Sequence, residues 1–234
     1  MKLRALTFMI DDNWLSPLSM KLPLIEDKIK SFSADHSLEI WSKRLALNPQ
    51  RVSNLEYVLT KLERLEQYFD YIAIPLLLEE DFKVDKLAHY LRTYDKLFFS
   101  LAGDREALNH YINLLKYVKY NLPPEVFVHL SFSIDDHIQT PYFPAASAKP
   151  NMFSLSAALL YVADLVDAVE HSMELTDAMQ SAFVKAYSFL THLANESGIA
   201  VLGVDMSISP WMNESVVTLI ELLGGISFNQ PGVH

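Results

Sequence analysis

The sequence predicts an α/β protein in which strands and helices alternate and the strands form a mainly parallel sheet. Half of the 234 residues are hydrophobic, which is enough to bury a sizeable core. Short apolar runs that suit strands covered on both faces alternate with longer stretches of helical periodicity. This alternation implies right-handed crossovers between parallel strands, and without a repeat or a low-complexity linker it predicts a single domain over residues 1–234.

The first two elements set this pattern. Residues 3–10 form a compact, mostly apolar run that stops at two aspartates, which predicts a buried strand. Residues 16–32 place apolar side chains at helical spacing, with Ser16 as the expected cap and Pro17 in the first turn. Pro23 is expected to kink or delay that helix.

The rest of the chain continues the alternation. Residues 38–47 alternate in polarity and predict the second strand, while leucines share one face of a helix over residues 53–69. Residues 71–78, apolar on both faces, predict the third strand. The later helices are expected at residues 84–93, 104–120, 153–171, 176–197 and 214–223, and the later strands at residues 96–101, 126–132 and 199–204.

Residues 133–151 form an irregular segment that is too long for a plain connection, so it is the first place to look for function. Ligands of parallel α/β sheets bind beyond the carboxyl ends of the strands. Acidic side chains follow several of these ends, namely Asp11, Asp12, Glu79, Glu80, Asp81, Asp135, Asp136 and Asp205.

These acidic side chains have two interpretations. The aspartates after strands one, five and six could converge on a divalent cation, which prefers oxygen ligands. They could instead cap the helices and turns that follow, which is the commoner role of aspartate at a strand end. His137, which follows Asp136, could act as a base or a ligand, although a loop histidine is more often solvated.

Arg44 is the most informative single residue of the second strand. An arginine within a sheet needs a paired anion, because its charge is costly to bury alone. The partner could be a carboxylate or phosphate of a ligand, or an internal side chain such as Asp205, and the internal ion pair is the more common arrangement. Both alternatives stay open.

Composition excludes several functional classes. The net charge of -10 and the pI of about 5.2, without a large basic cluster, disfavour binding to nucleic acid. The absence of cysteine excludes disulfides, thiolate catalysis and cysteine-ligated metal centres. No nucleotide-binding glycine motif or hydrolase elbow is present. No signal peptide and no apolar stretch of membrane-spanning length is found, so a cytoplasmic location is expected.

Two motifs together carry a resemblance to a known family. Residues 140–146 read TPYFPAA, and residues 203–210 read GVDMSISP. In this order they resemble the "PFL family", a domain-of-unknown-function group. The resemblance covers the chain from end to end and implies a barrel related to that of pyruvate formate-lyase, built from two parallel half-sheets. It also implies a shared ligand pocket formed by Arg44, Pro141, Phe143, Pro144, Asp205, Ser207 and Pro210.

The chain departs from the family pattern in several respects. Tyr142 and Ser209 stand where the family has Phe and Ala, and His129 stands where it tends to have arginine. Without a glycyl-radical loop or a cysteine, radical chemistry does not carry over. Family members are much longer, and six strands cannot close a ten-stranded barrel. We therefore expect a half or partial barrel that a second copy could complete as a homodimer.

Three functional hypotheses follow. The first is a protein that binds a small anionic molecule in a pocket at the carboxyl ends of the strands, with a small ACT-type regulatory protein as a partner implied by the resemblance. The second is an enzyme that acts on an anionic small molecule held by Arg44, with Asp205 as base or metal ligand and Ser207 as hydrogen-bond donor. The third is a structural or assembly module. The sequence does not identify a cofactor.

Overall fold

The computed structural model describes residues 2–78, 83–211, 214–225 and 227. The chain divides into two compact units that are interleaved in sequence. The terminal unit consists of Met1–Leu6, Leu24–Trp41 and Leu155–His234, and the central unit consists of Thr7–Pro23 and Ser42–Ser154.

Strands and helices alternate over part of the described chain, and elsewhere strands follow strands or one helix follows another. The strands are β1 (Lys2–Ile10), β2 (Glu39–Ile40), β3 (Lys43–Leu47), β4 (Gln50–Arg51), β5 (Tyr71–Leu77), β6 (Leu97–Gly103), β7 (Leu130–Ile134), β8 (Phe153–Leu160) and β9 (Ala200–Asp205). The helices are α1 (Leu15–His36), α2 (Leu55–Leu62), α3 (Val84–Thr93), α4 (Arg105–Asn121), α5 (Val162–Glu170), α6 (Leu175–Ser197) and α7 (Val216–Gly224).

The sheet of the central unit is parallel over its best-defined part. Its strand order is β7-β6-β5-β3, followed by the second half of β1. The pairs β3–β5, β5–β6 and β6–β7 are all parallel, with Arg44 opposite Tyr71 and Ala73 opposite Phe98. The predicted α/β class with a mostly parallel sheet is therefore confirmed.

The terminal unit contains fewer neighbouring strands, in the order β1 (its first half), β8 and β9. The short strand β2 pairs with β1 in parallel, with Lys2 opposite Glu39. α6 ends at Ser197, and Gly198 follows it in the left-handed conformation that caps a helix at its carboxyl end. No helix in the described ranges is both long and apolar enough to cross a membrane.

The helix predicted over residues 153–171 is wrong in its first half. β8 occupies Phe153–Leu160, and α5 begins only at Val162. Seven of the eight β8 side chains are buried, since the strand lies between β1 and β9. A strand covered on both faces shows no alternation, and alanine and leucine favour helices, so its sequence resembles that of a helix.

Other boundaries shift because turns precede the regular elements. The helix predicted to start at Ser16 begins at Leu15, after a 3-10 turn at Asp12–Trp14 that Asp11 caps through Asn13 N–H. It continues through Pro23. The predicted second strand is divided into β2 and β3. The helix predicted over residues 53–69 is shorter and corresponds to α2, which ends at Leu62. The strand predicted at residues 126–132 starts later, as β7, because a 3-10 turn precedes it.

Candidate functional site

The long loop between β7 and β8 folds back over one face of the central-unit sheet. Thr140 and Ser147 form an antiparallel bridge, with N–H to carbonyl distances of 3.1 and 2.9 Å. The Ala148 N–H donates to the Leu47 carbonyl at 2.9 Å, which fixes the returning arm of the loop to the end of β3. The TPYFPAA motif, residues 140–146, therefore forms the tip of a loop that is closed at its base.

Small side chains on the sheet make room for this loop. Ala46 and Ala73 lie on neighbouring strands and are fully buried. They pack in one apolar cluster, whose members are Met9, Ala46, Ala73, Phe98, Ala146 and Ala148. Because both sides present alanine, the backbone of the loop approaches the sheet closely and takes the place of a crossover helix on this face.

Arg44 lies under the tip of the loop, where it contacts two aromatic rings. Its guanidinium carbon is 5.3 Å from the centre of the Phe143 ring and 5.5 Å from that of Tyr71, and the two ring centres are 6.3 Å apart. The three groups form a triangle, so the rings do not sandwich the guanidinium. Nε of Arg44 donates to Ser42 Oγ at 2.9 Å. We name the residues Arg44, Ser42, Tyr71 and Phe143 the arginine cluster.

The arginine cluster continues into a second layer of rings. Phe98 packs edge-on against Tyr71 and Phe143, with centroid distances of 5.4 and 5.3 Å. His129 stacks on Phe98 at 4.3 Å, and its Nδ1 lies 2.7 Å from the Leu97 carbonyl oxygen. A carbonyl oxygen only accepts, so Nδ1 carries the proton. These layers fix the ring positions against which Arg44 rests.

The arginine cluster lies at the amino ends of the strands. Arg44 is the second residue of β3 and is opposite Tyr71, the first residue of β5. The sequence predicts Arg44 within a strand over residues 38–47 and a ligand pocket at the carboxyl ends of the strands, whereas Arg44 lies at the amino end of β3. The predicted strand over residues 38–47 is interrupted before Lys43, which moves Arg44 from the middle of a long strand to the start of a short one.

A separate pocket of about 480 Å³ does lie at the carboxyl ends of β5, β6 and β7. Its charged lining consists of Asp104, Glu106, Asp135 and Asp136, with His110 beside them. Asp104 caps α4 by accepting from the N–H groups of Glu106 and Ala107. Four carboxyl side chains give this pocket a negative potential. Glu79, Glu80 and Asp81 lie outside the described residues.

The aspartates after β1 cap and tie the chain. Asp11 is 4% exposed, and its two carboxylate oxygens accept from the N–H groups of Asn13 (2.9 Å) and Asn151 (2.7 Å). Asp12 lies 3.9 Å from Lys61 Nζ. Among the residues that the structure describes, no group of three or more His, Asp or Glu side chains could hold a metal ion. The capping interpretation thus describes Asp11.

His137 ties the start of the loop to the sheet. Its Nε2 lies 3.0 Å from the Leu76 carbonyl oxygen, and its Nδ1 lies 3.4 Å from Ser100 Oγ. The carbonyl requires the proton on Nε2, so neutral Nδ1 can accept from the hydroxyl. Burial lowers the pKa of His137, although the bond to Leu76 and the charge of Asp136 oppose that effect. Ser100 is 1% exposed, so its contact with His137 is buried and stabilises the fold.

Asp205 belongs to a hydrogen-bond network of the terminal unit. Its Oδ2 accepts from Arg4 Nη2 at 3.0 Å, and its Oδ1 accepts from both the N–H (2.9 Å) and the hydroxyl of Ser207. Arg4 Nη1 also donates to Ser209 Oγ at 2.9 Å. The GVDMSISP motif thus folds around one ion pair, while Pro210 at its end is exposed.

Tyr161 flanks this network without joining its ion pair. Its hydroxyl donates to the Met206 carbonyl oxygen at 2.7 Å. Burial raises the pKa of Tyr161, and the nearby Asp205 carboxylate raises it further. The phenol therefore stays protonated and holds the chain that follows β9.

Sequence reasoning missed Arg4, although a signal was present. Arg4 is a charged residue inside the apolar run of β1, and the argument applied to Arg44 applies to it equally. Because β8 lies between β1 and β9, the Arg4 side chain crosses a strand to reach Asp205.

The structure brings together only part of the predicted pocket. Arg44 and Phe143 are in contact in the central unit, and the half-buried Pro141 and Pro144 flank Phe143 in the chain. The other three predicted ligand residues belong to the terminal unit and are Asp205, Ser207 and Pro210.

Comparison with protein-family models gives no match to this sequence, and a search of curated proteins finds no relative of significant similarity. The resemblance to the "PFL family" therefore stays a prediction.

Proposed function

We propose that the protein binds a small carboxylate or phosphate at the arginine cluster of the central unit. The observation that carries this proposal is the contact between Arg44 and Phe143, which lie 99 positions apart in sequence and 5.3 Å apart as guanidinium carbon and ring centre. A guanidinium presents N–H groups in a fork that matches two oxygens of a carboxylate or phosphate. An oriented arginine beside aromatic rings is therefore a suitable receptor for an anion.

The surroundings of Arg44 support this choice of ligand. Ser42 Oγ orients the Nε edge of the guanidinium, which reduces the conformational entropy lost on binding. The rings of Tyr71 and Phe143 replace water on one side, which strengthens an ion pair at that position. Tyr71 is 39% exposed, so a ligand can approach from solvent.

The charge distribution of the central unit separates this site from the pocket at the carboxyl ends of the strands. Asp104, Glu106, Asp135 and Asp136 line that pocket, so an anion would be repelled there. We therefore assign the anion to the amino-end side of the sheet, at Arg44.

Calorimetric titration with phosphate, succinate and benzoate tests this proposal. At least one of these anions should bind the wild type, and Arg44→Met should raise its Kd by about tenfold or more, as expected for the loss of a charge-assisted hydrogen bond. Arg51→Met is the matched control, since Arg51 is an exposed arginine outside the cluster. If none of the anions binds, or if both variants bind equally well, the proposal is wrong.

The enzyme alternative has less support. Asp205, the predicted base, accepts hydrogen bonds on both carboxylate oxygens, and the carboxylate is about 10% exposed. A base that is held in this way has little freedom to accept a proton from a substrate.

An assembly function is the second candidate, and exposed apolar side chains favour it. In the terminal unit, β9 ends the strand order of the described residues and exposes Leu202 (42%), while α7 exposes Ile220 (43%) and Leu223 (49%). We propose a homodimer through this surface, because an apolar edge strand favours pairing. Light scattering at micromolar concentration should give the mass of a dimer, and a monomer would count against it. An ACT-type partner stays a prediction from the resemblance.

A further inference from the structure

A second cavity, unrelated to Arg44, lies between α5 and α6 in the terminal unit. It has a volume of about 190 Å³. Its inner wall is apolar and consists of Tyr161, Leu165, Ala178 and Ala182. Tyr161 and Leu165 are each 1% exposed and Ala178 is 8% exposed, so this wall is the inner end of the cavity.

The outer rim of the same cavity carries opposite charges. Asp164 lies in the first turn of α5 and Lys185 lies on α6, and both are exposed. Neither side chain has a hydrogen-bond or ion-pair partner among the described residues. An aspartate and a lysine thus line one cavity without an ion pair between them or to another side chain of the described residues.

We propose that this cavity binds a small α-amino acid with an aliphatic side chain. The ligand's ammonium group would pair with Asp164 and its carboxylate with Lys185, while its side chain would lie against Leu165, Ala178 and Ala182. A ligand with one charge would satisfy only one side of the rim. A ligand without an apolar body would leave the inner wall wet.

The dimensions agree with a ligand of this class. Cavities for drug-sized molecules measure about 300–1,000 Å³, so a cavity of 190 Å³ suits a smaller molecule. At about 30 Å³ for each water molecule in the liquid, it holds the equivalent of about six waters. The hydroxyl of Tyr161 donates to Met206, so the ring presents its apolar body to the ligand.

Calorimetric titration of the full chain with L-leucine, L-valine and L-methionine tests this assignment. At least one should bind with a Kd at or below about 1 mM. The analogues 4-methylpentanoate and 3-methylbutylamine, each of which lacks one charged group of leucine, should bind about tenfold or more weakly than leucine. If none of the three amino acids binds, or if either analogue matches leucine, the proposal is wrong.

Charge variants locate the binding in the cavity. Asp164→Asn and Lys185→Met should each weaken amino-acid binding by about tenfold. The matched controls Asp27→Asn and Lys30→Met change exposed residues of α1 outside the cavity and should leave the affinity unchanged. Arg44→Met should also leave it unchanged, which separates this site from the anion site. Equal affinities in all variants would assign the binding to another place and overturn the proposal.

Discussion

At the residue scale, Arg4 explains how Asp205 is held in the fold. Asp205 appears in the sequence as a candidate base, yet Arg4 and Ser207 occupy its oxygens. The side chain of Arg4 is 21% exposed and that of Asp205 is 10% exposed, so removing one partner leaves a poorly solvated charge.

Replacing Arg4 should therefore destabilise the protein. We expect Arg4→Met to lower the free energy of unfolding by about 2 kcal/mol, because the Asp205 carboxylate loses a charge-assisted hydrogen bond. Lys2→Met is the matched control: Lys2 pairs with Glu214 at 3.4 Å but is 43% exposed, so its loss should cost about 0–1 kcal/mol. Urea denaturation measures both, and equal costs would contradict the role assigned to Arg4.

His137 should make stability depend on pH below neutrality. Burial lowers its folded-state pKa from the ordinary value of 6.5, so the unfolded chain binds the proton more readily. The stability that neutral His137 contributes is present above pH 6.5 and is lost as the pH falls toward the folded-state pKa. His137→Gln should flatten this part of the stability curve relative to wild type.

His171 is the comparison for that measurement, because its pKa shifts in the opposite direction to that of His137. Its bond to the Asp167 carbonyl, and then the Asp167 charge, raise the pKa of His171, so its contribution has the opposite sign. That contribution is present below pH 6.5 and is lost as the pH rises through the folded-state pKa. A His137→Gln curve parallel to that of the wild type, measured by urea denaturation from pH 7.5 to 5.5, would show that the His137 pKa is not lowered.

At the element scale, the alternation of strands and helices could be predicted from the sequence, but β8 and the face of the sheet under the long loop could not. The run Ser154 to Leu160 has no alternation because both faces are buried. Ala46 and Ala73 leave room for the loop to pack against the sheet. In the sequence they resemble ordinary strand residues, and only their contact with Ala146 shows this role. The sequence around Arg44 marks it as a candidate residue. The end of the sheet at which it lies could not be predicted, because that depends on the break in the strand before Lys43.

The junction of β6 and α4 depends on a glycine. Gly103 has φ +145°, and a Cβ there would lie 2.6 Å from the Cβ of Ala107. Gly103→Ala should lower the free energy of unfolding by about 2 kcal/mol or more, because backbone strain adds to the clash between the new methyl group and Ala107 of α4. Gly203→Ala, at φ +155° with no atom within 4 Å, carries only the backbone cost and should lose about 1 kcal/mol. Thermal unfolding compares them, and equal losses would contradict the clash.

At the scale of the whole molecule, the central unit is not a continuous stretch of chain. Its first segment, Thr7–Pro23, ends within α1, and its second segment, Ser42–Ser154, begins after α1. The first of these segments supplies Met9 to the apolar cluster under the loop and Phe8, whose ring packs edge-on against Phe69 at 5.3 Å. The distant segment is thus part of the core of the unit.

A fragment of residues 42–154 should therefore fail to fold cooperatively. It would lack Met9 and Phe8, and it would leave the Asn151 N–H without the Asp11 carboxylate that accepts it at 2.7 Å. The loss of these two large buried side chains costs about 5–10 kcal/mol in all, which is comparable to the whole stability of a domain. Near-ultraviolet circular dichroism and urea denaturation should show no cooperative transition for this fragment.

The matched control restores the missing segment by covalent linkage. Residues 7–23 attached after Ser154 through a flexible linker should refold the fragment, because the Asp11 N–H donates to the Met152 carbonyl at 2.8 Å and the two chain ends therefore start close together. A cooperative transition in the linked form alone would show that β1 completes the core of the central unit. If residues 42–154 fold equally well without it, then Met9 and Phe8 are dispensable, and the loop is held to the sheet by the alanine contacts and its own bridge at Thr140 and Ser147.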